Sequence, residues 1–474
     1  MSRGRHRAGE VRIVRFWVVA AVFVMTLAAA WAASGDTHRP PGEQDALEPF
    51  IDPSGMVRTF STSGPIDRNN AFFQSLGTNG RACISCHQPA AGWTISPAEV
   101  RARFESTAGL DPIFRTNDGA DSPWADVTTL EKRRNAYSML LSKGLIRVGI
   151  GIPSNPDCEF TLDAVDDPYG YASAGELSLF RRPLPSTNLA FLSGVMWDGR
   201  ETFAGKSVAF DLADQANAAT IGHAQASLPL TAQQRQEIVD FETALFTAQI
   251  FDRDAGDLTA AKAKGGPRAL SRQEFFLGIN DPLGLNPLGT PFSAAVFSDF
   301  DAWCAAGDDE SPSGRKAARA AIGRGQVLFD SRRIDIEGVK GLNDELGLRT
   351  IPGTCGTCHD SPNVGNHSVA APLDIGLTDA SRRTPDLPLY TLRNKATNAT
   401  VQTTDPGRAL LTGRWKDIGR FKGPILRGLA ARAPYFHNGS AATLTDAVQF
   451  YNTRFHIGLT EAEVSDLVAF LKAQ

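Results

Sequence analysis

Two pentads, Cys83-Ile84-Ser85-Cys86-His87 and Cys355-Gly356-Thr357-Cys358-His359, constrain this chain more than anything else in it. C-x-x-C-H is the attachment motif of c-type haem: the two thiols add across the haem vinyl groups, and the adjacent imidazole is the proximal iron ligand. A single C-x-x-C can also be a redox dithiol or half of a zinc site. Here two pentads use four of only 6 cysteines, each with its own histidine, which predicts two covalently bound c-type haems. Cys158 and Cys304 are left over. They can pair in an oxidising compartment, and the sequence leaves that open.

The N-terminus agrees with export. Residues 1–32 carry five arginines, an apolar run from Phe16 to Ala32 and small residues at its end, which reads as a secretory signal peptide. An uncleaved membrane anchor is the alternative. Haem of this type is attached outside the cytoplasm, so the expected location is the periplasm. The chain has 474 residues and a net charge of −4; losing the five arginines and one glutamate of residues 1–32 makes it −8. Such a protein has no electrostatic footprint for nucleic acid. A basic redox partner suits it better.

Longer echoes surround the pentads. "LTAQQRQEIVDFETAL" from Leu230 matches "LTEAEVSDLVAFLKAQ" from Leu459, each an N-cap followed by apolar residues on one helical face. "STNLAFLSGVMWDGRETFAGKSV" parallels "LRGLAARAPYFHNGSAATLTDAV", setting Trp197-Asp198-Gly199 opposite His437-Asn438-Gly439. Three echoes in one order predict a duplicated, mainly α protein with two tandem cytochrome c-like haem domains. The expected organisation is an N-terminal tail over 33–59, a first haem domain over 60–250, an irregular connector over 251–315 and a second haem domain over 316–474. A long insertion, roughly 110 to 185, falls in the first half. Strand signal is weak throughout.

The methionines are Met1, Met25, Met56, Met139 and Met196. None follows the second pentad, so no methionine from that half closes the second iron. His367, His437, His456, Tyr390, Tyr435 and Tyr451 remain there as candidates. From the residues alone Tyr451 reads as a core aromatic beside Phe450 rather than as a ligand.

"APYFHNGSAATLTDAVQFYN" and "MWDGRET" resemble signatures of the bacterial di-haem cytochrome c peroxidases and their relative MauG, over roughly residues 60–250 and 316–474. The resemblance implies that Tyr451 is the distal ligand of the second haem, with His437 the runner-up. It makes Trp197 an electron relay between the haems. Asp211 falls opposite Tyr451 in the repeat, which leaves the first haem with His87 on one side and an open face on the other. Gln215 matches the family's distal glutamine; His223 or Gln225 falls at its distal glutamate, so the acid–base residue is in doubt. The resemblance also implies one calcium, with Asp121 and Asn117 as side-chain candidates and the carbonyls of Arg432 and Pro434 beside them. Arg427 is a candidate for a haem propionate.

Three functions follow as expectations. The first is a peroxidase that reduces hydrogen peroxide with electrons from a small cytochrome c or cupredoxin. The second is a MauG-like oxidase that uses peroxide to modify a protein residue or an organic substrate. The third is an electron-transfer cytochrome with both irons closed.

Overall fold

The repeat read in the sequence recurs in the backbone angles. The computed structural model describes residues 47–304 and 313–474. Asn188 and Gly428 are both left-handed, with φ 61° and 64°, and each opens a 3-10 turn, Leu189–Phe191 and Leu429–Ala431. Met196 and Phe436 follow at φ 68° and 66°, then Gly199 and Gly439 at 75° and 64°. A bulky side chain at positive φ is costly and persists only where its surroundings hold it. Both strained residues directly precede an aromatic ring, Trp197 and His437, that proves central to the site.

Helices repeat in the same way. Helix α1 (Val208–Gly222) and helix α2 (Ala232–Ala244) in the first half correspond to α4 (Leu444–Arg454) and α5 (Glu461–Lys472) in the second. Ser207 and Thr443 cap α1 and α4 by accepting from Phe210 and Asp446 N–H groups. Thr231 and Thr460 cap α2 and α5 in reciprocal boxes with Gln234 and Glu463. A further helix, α3 (Gly314–Ser331), packs on α5. The approach is so close at Gly325 that a Cβ there would stand 2.0 Å from the Asp466 carbonyl oxygen, which only glycine permits.

Each half buries its own apolar cluster. In the second, Phe297, Phe300, Trp303 and Phe329 pack against Val464, Leu467, Val468 and Phe470. In the first, Phe72, Trp93, Ala216, Leu230 and Ile238 pack together. A third cluster joins Leu189, Phe191 and Leu212 to Val364 and Ile425, so the two halves share core. Residues 45–474 accordingly form one compact unit by their contacts.

The mainly α expectation holds only in part, because strands form four small sheets among the described residues. Strand Gly55–Ser61 pairs antiparallel with Leu245–Asp252, so residues expected in an N-terminal tail belong to the first half's sheet. The insertion is structured as well. Its strand Phe160–Asp166 pairs with Leu389–Asn394 of the second half, and Ile146–Ile150 pairs with Leu177–Arg181. Cys158 is buried with this sheet, its thiol directed at the Phe160 carbonyl, while the Cys304 thiol faces the Phe300 and Gly323 carbonyls; both are free. The described connector residues hold only short elements, among them strand Gly256–Asp257 and the single-turn helices Pro267–Leu270 and Asp301–Cys304, but Phe297, Phe300 and Trp303 are core residues. No helix among the described residues is long and apolar enough to cross a membrane. The signal-peptide segment and most of the expected tail lie outside the described residues.

Candidate haem cavities

Two cavities hold the pentads. The first is lined by Cys83, Cys86 and His87 with Gln215 and His223; the second by Cys355, Cys358 and His359 with His437 and Tyr451. At about 1580 and 1820 Å³, open mouths included, each has room for a macrocycle.

The pentads fold alike. Each first cysteine opens one 3-10 turn, Cys83–Ser85 and Cys355–Thr357. The histidine N–H then donates back to that cysteine's carbonyl, at 3.1 Å in both. The hydroxyls of Ser85 and Thr357 accept the N–H groups of Ala82 and Thr354, at 3.1 and 3.0 Å. His87 Nδ1 faces the Trp93 carbonyl at 3.0 Å, and His359 Nδ1 faces the Gly365 carbonyl at 2.6 Å. A carbonyl only accepts, so each Nδ1 carries the proton and each Nε2 keeps a lone pair for a metal. Burial keeps both rings neutral, pushing His87 down to about 4 and His359 below its ordinary value. Phe72 and Phe329 lean on the two histidines at 6.2 and 6.1 Å, with interplanar angles of 56° and 57°. The donor set and its second contacts fit haem in both halves.

The far sides differ. In the second cavity the Tyr451 ring, carried on α4, faces His359 with 6.4 Å between centroids. The Tyr451 hydroxyl makes no hydrogen bond among the described residues, whereas Tyr435, on the same cavity, donates to the Leu429 carbonyl at 2.9 Å. Burial raises the Tyr451 pKa, so only a cation would draw off its proton. The other candidates face elsewhere. Tyr390 is tied to Ser178 in a sheet, His456 is exposed, and His367 is buried away from both cavities. His437 does line the second cavity, but its ring stacks on Phe421 at 4.1 Å.

Among the described residues no tyrosine ring faces His87. Asp211, opposite Tyr451 in the repeat, turns away to accept the Phe203 N–H. Instead α1 brings Gln215, and the residue that caps its C-terminus, His223, to the cavity. His223 Nδ1 is held by Asp118, which is also paired with Arg81. That leaves His223 Nε2 free.

Trp197 lines both cavities. Its indole donates to the Arg182 carbonyl at 2.8 Å and meets His437 edge-on at 6.2 Å. Arg182, Lys422 and Arg432 also line both cavities. Lys422 is pushed down to about 7 by burial, and its ammonium donates to the Gly194 carbonyl at 2.8 Å. An anionic group beside it would restore its charge.

Several sequence expectations need correction. Gln225 is exposed at positive φ and lines neither cavity, so it is no distal residue. Arg427 is buried away from both cavities, paired with Asp299 and the Asn363 carbonyl. Arg182, Lys422 and Arg432 are better placed for haem propionates. The calcium residues fit poorly. The Asp121 carboxylate accepts Met139 N–H at 3.1 Å and Ser138 N–H at 3.2 Å, at the start of a helical turn. The Asn117 amide nitrogen donates to the Gly222 carbonyl, while its buried oxygen has no partner. The Arg432 carbonyl accepts from the buried Arg182 guanidinium, which also donates to Ile95 and Lys143 carbonyls. A protein cation already stands at those oxygens, and no hydrogen bond links Asp121 or Asn117 to Arg432 or Pro434.

Sequence reasoning missed Arg81, Asp118, Arg182, Lys422 and Glu242. Glu242 lines the first cavity, and burial raises it to about 7. None of these sits at a telling spacing from a pentad; only the fold gathers them.

No family model matches the chain. Over 173 residues it is 30% identical to "Cytochrome-c peroxidase IdrP1" of Denitromonas iodatirespirans, covering 31% of this chain and 44% of that protein. It is 34% identical over 132 residues to "Cytochrome c551 peroxidase" of Nitrosomonas europaea, covering 27% and 33%. A third match is 41% identical over 73 residues to "Cytochrome c peroxidase Ccp" of Escherichia coli, covering 15% and 16%. The chain thus spans less than half the length of these curated relatives. A solved "MauG-like protein associated with microbial copper homeostasis" aligns over 91% of this chain and 95% of its own, at 16% identity and a TM-score of 0.38. The resemblance to cytochrome c peroxidases is carried by these sequence matches as well as by the pentads.

Proposed function

We propose that this chain is a di-haem c-type cytochrome peroxidase, which reduces hydrogen peroxide at the first cavity with electrons entering through the second. Each turnover takes two electrons and two protons and yields two waters. When bound, the haems would supply the redox-active iron and the electron path. The observation that carries the reading is the asymmetry of the two cavities: a tyrosine ring faces His359, whereas among the described residues no tyrosine ring faces His87, whose cavity is lined by Gln215 and His223.

The protein's own part is then definable. His87 and His359 would hold the haem irons through Nε2. Asp118 turns His223 so that Nε2, not Nδ1, is available to move a proton, and Gln215 offers an amide to peroxide. Trp197, on the walls of both cavities, lies on the electron route between them. The export-type haem motifs support a periplasmic location, and a small cytochrome c or cupredoxin is the donor this reading calls for.

Tyr451 favours a second reading, a MauG-like oxidase of a protein residue or organic substrate. An anionic oxygen donor lowers a haem potential, whereas methionine raises it. Both readings need peroxide to react at the first haem. The experiment is to mix the ferric holoprotein with hydrogen peroxide and follow the Soret band and peroxide loss, with and without a reduced cytochrome c. Spectral change and donor-dependent consumption are expected. A spectrum indifferent to peroxide would leave only the electron carrier.

A further inference from the structure

Outside both cavities, Asp281, Asp360 and His367 bring two carboxylates and an imidazole to one buried point. One donor atom from each lies within 4.8 Å of the others. The three residues are 2%, 0% and 3% exposed. Asp281 comes from the connector, while Asp360 directly follows the proximal His359 and His367 closes the same loop.

The local hydrogen bonds use only part of this set. Asp281 Oδ2 accepts the Leu285 N–H at 2.9 Å, and Asp360 accepts the Ser368 N–H at 2.7 Å and its hydroxyl at 3.0 Å. Asp281 Oδ1 and both ring nitrogens of His367 have no hydrogen-bond partner. His367 Nδ1 stands 3.3 Å from Asp360 Oδ2 without hydrogen-bond geometry. That is about the spacing of two donors on a tetrahedral ion with bonds near 2 Å. No lysine or arginine pairs with either carboxylate among the described residues. Two buried carboxylates without a cation are strongly unfavourable, and an idle imidazole beside them adds a nitrogen donor that calcium and magnesium do not favour.

We propose that Asp281, Asp360 and His367 bind one divalent transition-metal ion of the zinc class, tying the connector to the loop that carries His359. The ion would neutralise both carboxylates, engage the unpartnered Asp281 oxygen and one nitrogen of His367, and leave room for a further ligand. The site is independent of the peroxidase reading.

The test uses the di-haem holoprotein, dialysed against EDTA and titrated with zinc chloride, with bound zinc counted by mass spectrometry. One zinc per chain is expected at unchanged Soret absorbance. Asp281→Asn and His367→Gln should each bind at least about tenfold more weakly. No retained zinc in the wild type, or wild-type affinity in both variants, overturns the proposal. Should the variants fail to fold, X-ray absorption on zinc-loaded wild type decides. One imidazole with oxygen donors is expected, and a sulfur-containing or oxygen-only shell overturns it.

Discussion

His223 presents Nε2 to the first cavity because Asp118 takes its Nδ1. Burial pushes the Asp118 carboxyl up, but the His223 hydrogen bond and charge, with the Arg81 guanidinium, hold it below the usual carboxylate range. Asp118→Asn keeps the size and loses the charge, so His223 loses the anionic partner that fixes its tautomer and supports its protonated form. The reaction with peroxide should slow by about 10²-fold, with two covalent haems and an unchanged ferric spectrum. Stopped-flow mixing checks this, and an unaltered rate would mean that another group moves the proton. His223 itself could be picked out from the sequence, as the first histidine after His87. Asp118 and Arg81 could not, since nothing in "NDGADSP" or "NGRAC" marks them until the fold closes the loop on α1.

At the scale of elements, the helices were legible because their caps and apolar periods are local. The strands were not. Phe160–Asp166 alternates apolar and polar residues well enough, but its partner Leu389–Asn394 lies in the other half of the chain. Short strands that pair over such distances leave little trace in sequence. Helix α2 carries a testable oddity. Glu242 is buried in it with one carboxylate oxygen unpartnered, and burial raises its pKa to about 7 from an ordinary 4.5. Between about pH 4.5 and 7 the folded protein therefore keeps a proton that the unfolded chain has shed. Stability falls as pH rises through that window, and above it the cost is fully present, at most about 3 kcal/mol. Glu242→Gln lacks this slope. Its melting temperature relative to wild type should be higher at pH 8 than at pH 5; an equal difference at both would show that Glu242 does not titrate there.

For the whole molecule, the account rests on two haems with unequal far sides. Replacing both Cys83 and Cys86 by alanine, or both Cys355 and Cys358, should leave one covalent haem per chain by pyridine haemochrome assay; two in either variant would refute the assignment. The pairs were readable because haem attachment is set by five consecutive residues. The asymmetry was readable only in part, since the missing methionine named no replacement, and the 6.4 Å approach of Tyr451 to His359 exists only in the fold. The most direct test is the EPR spectrum of the ferric holoprotein, wild type against Tyr451→Phe. The substitution keeps the ring beside Phe450 and removes a hydroxyl that makes no hydrogen bond among the described residues, so folding should change little. The account predicts one high-spin and one low-spin haem in the wild type and two high-spin haems in the variant. Two low-spin haems in the wild type, or a spectrum that Tyr451→Phe leaves unchanged, would contradict it.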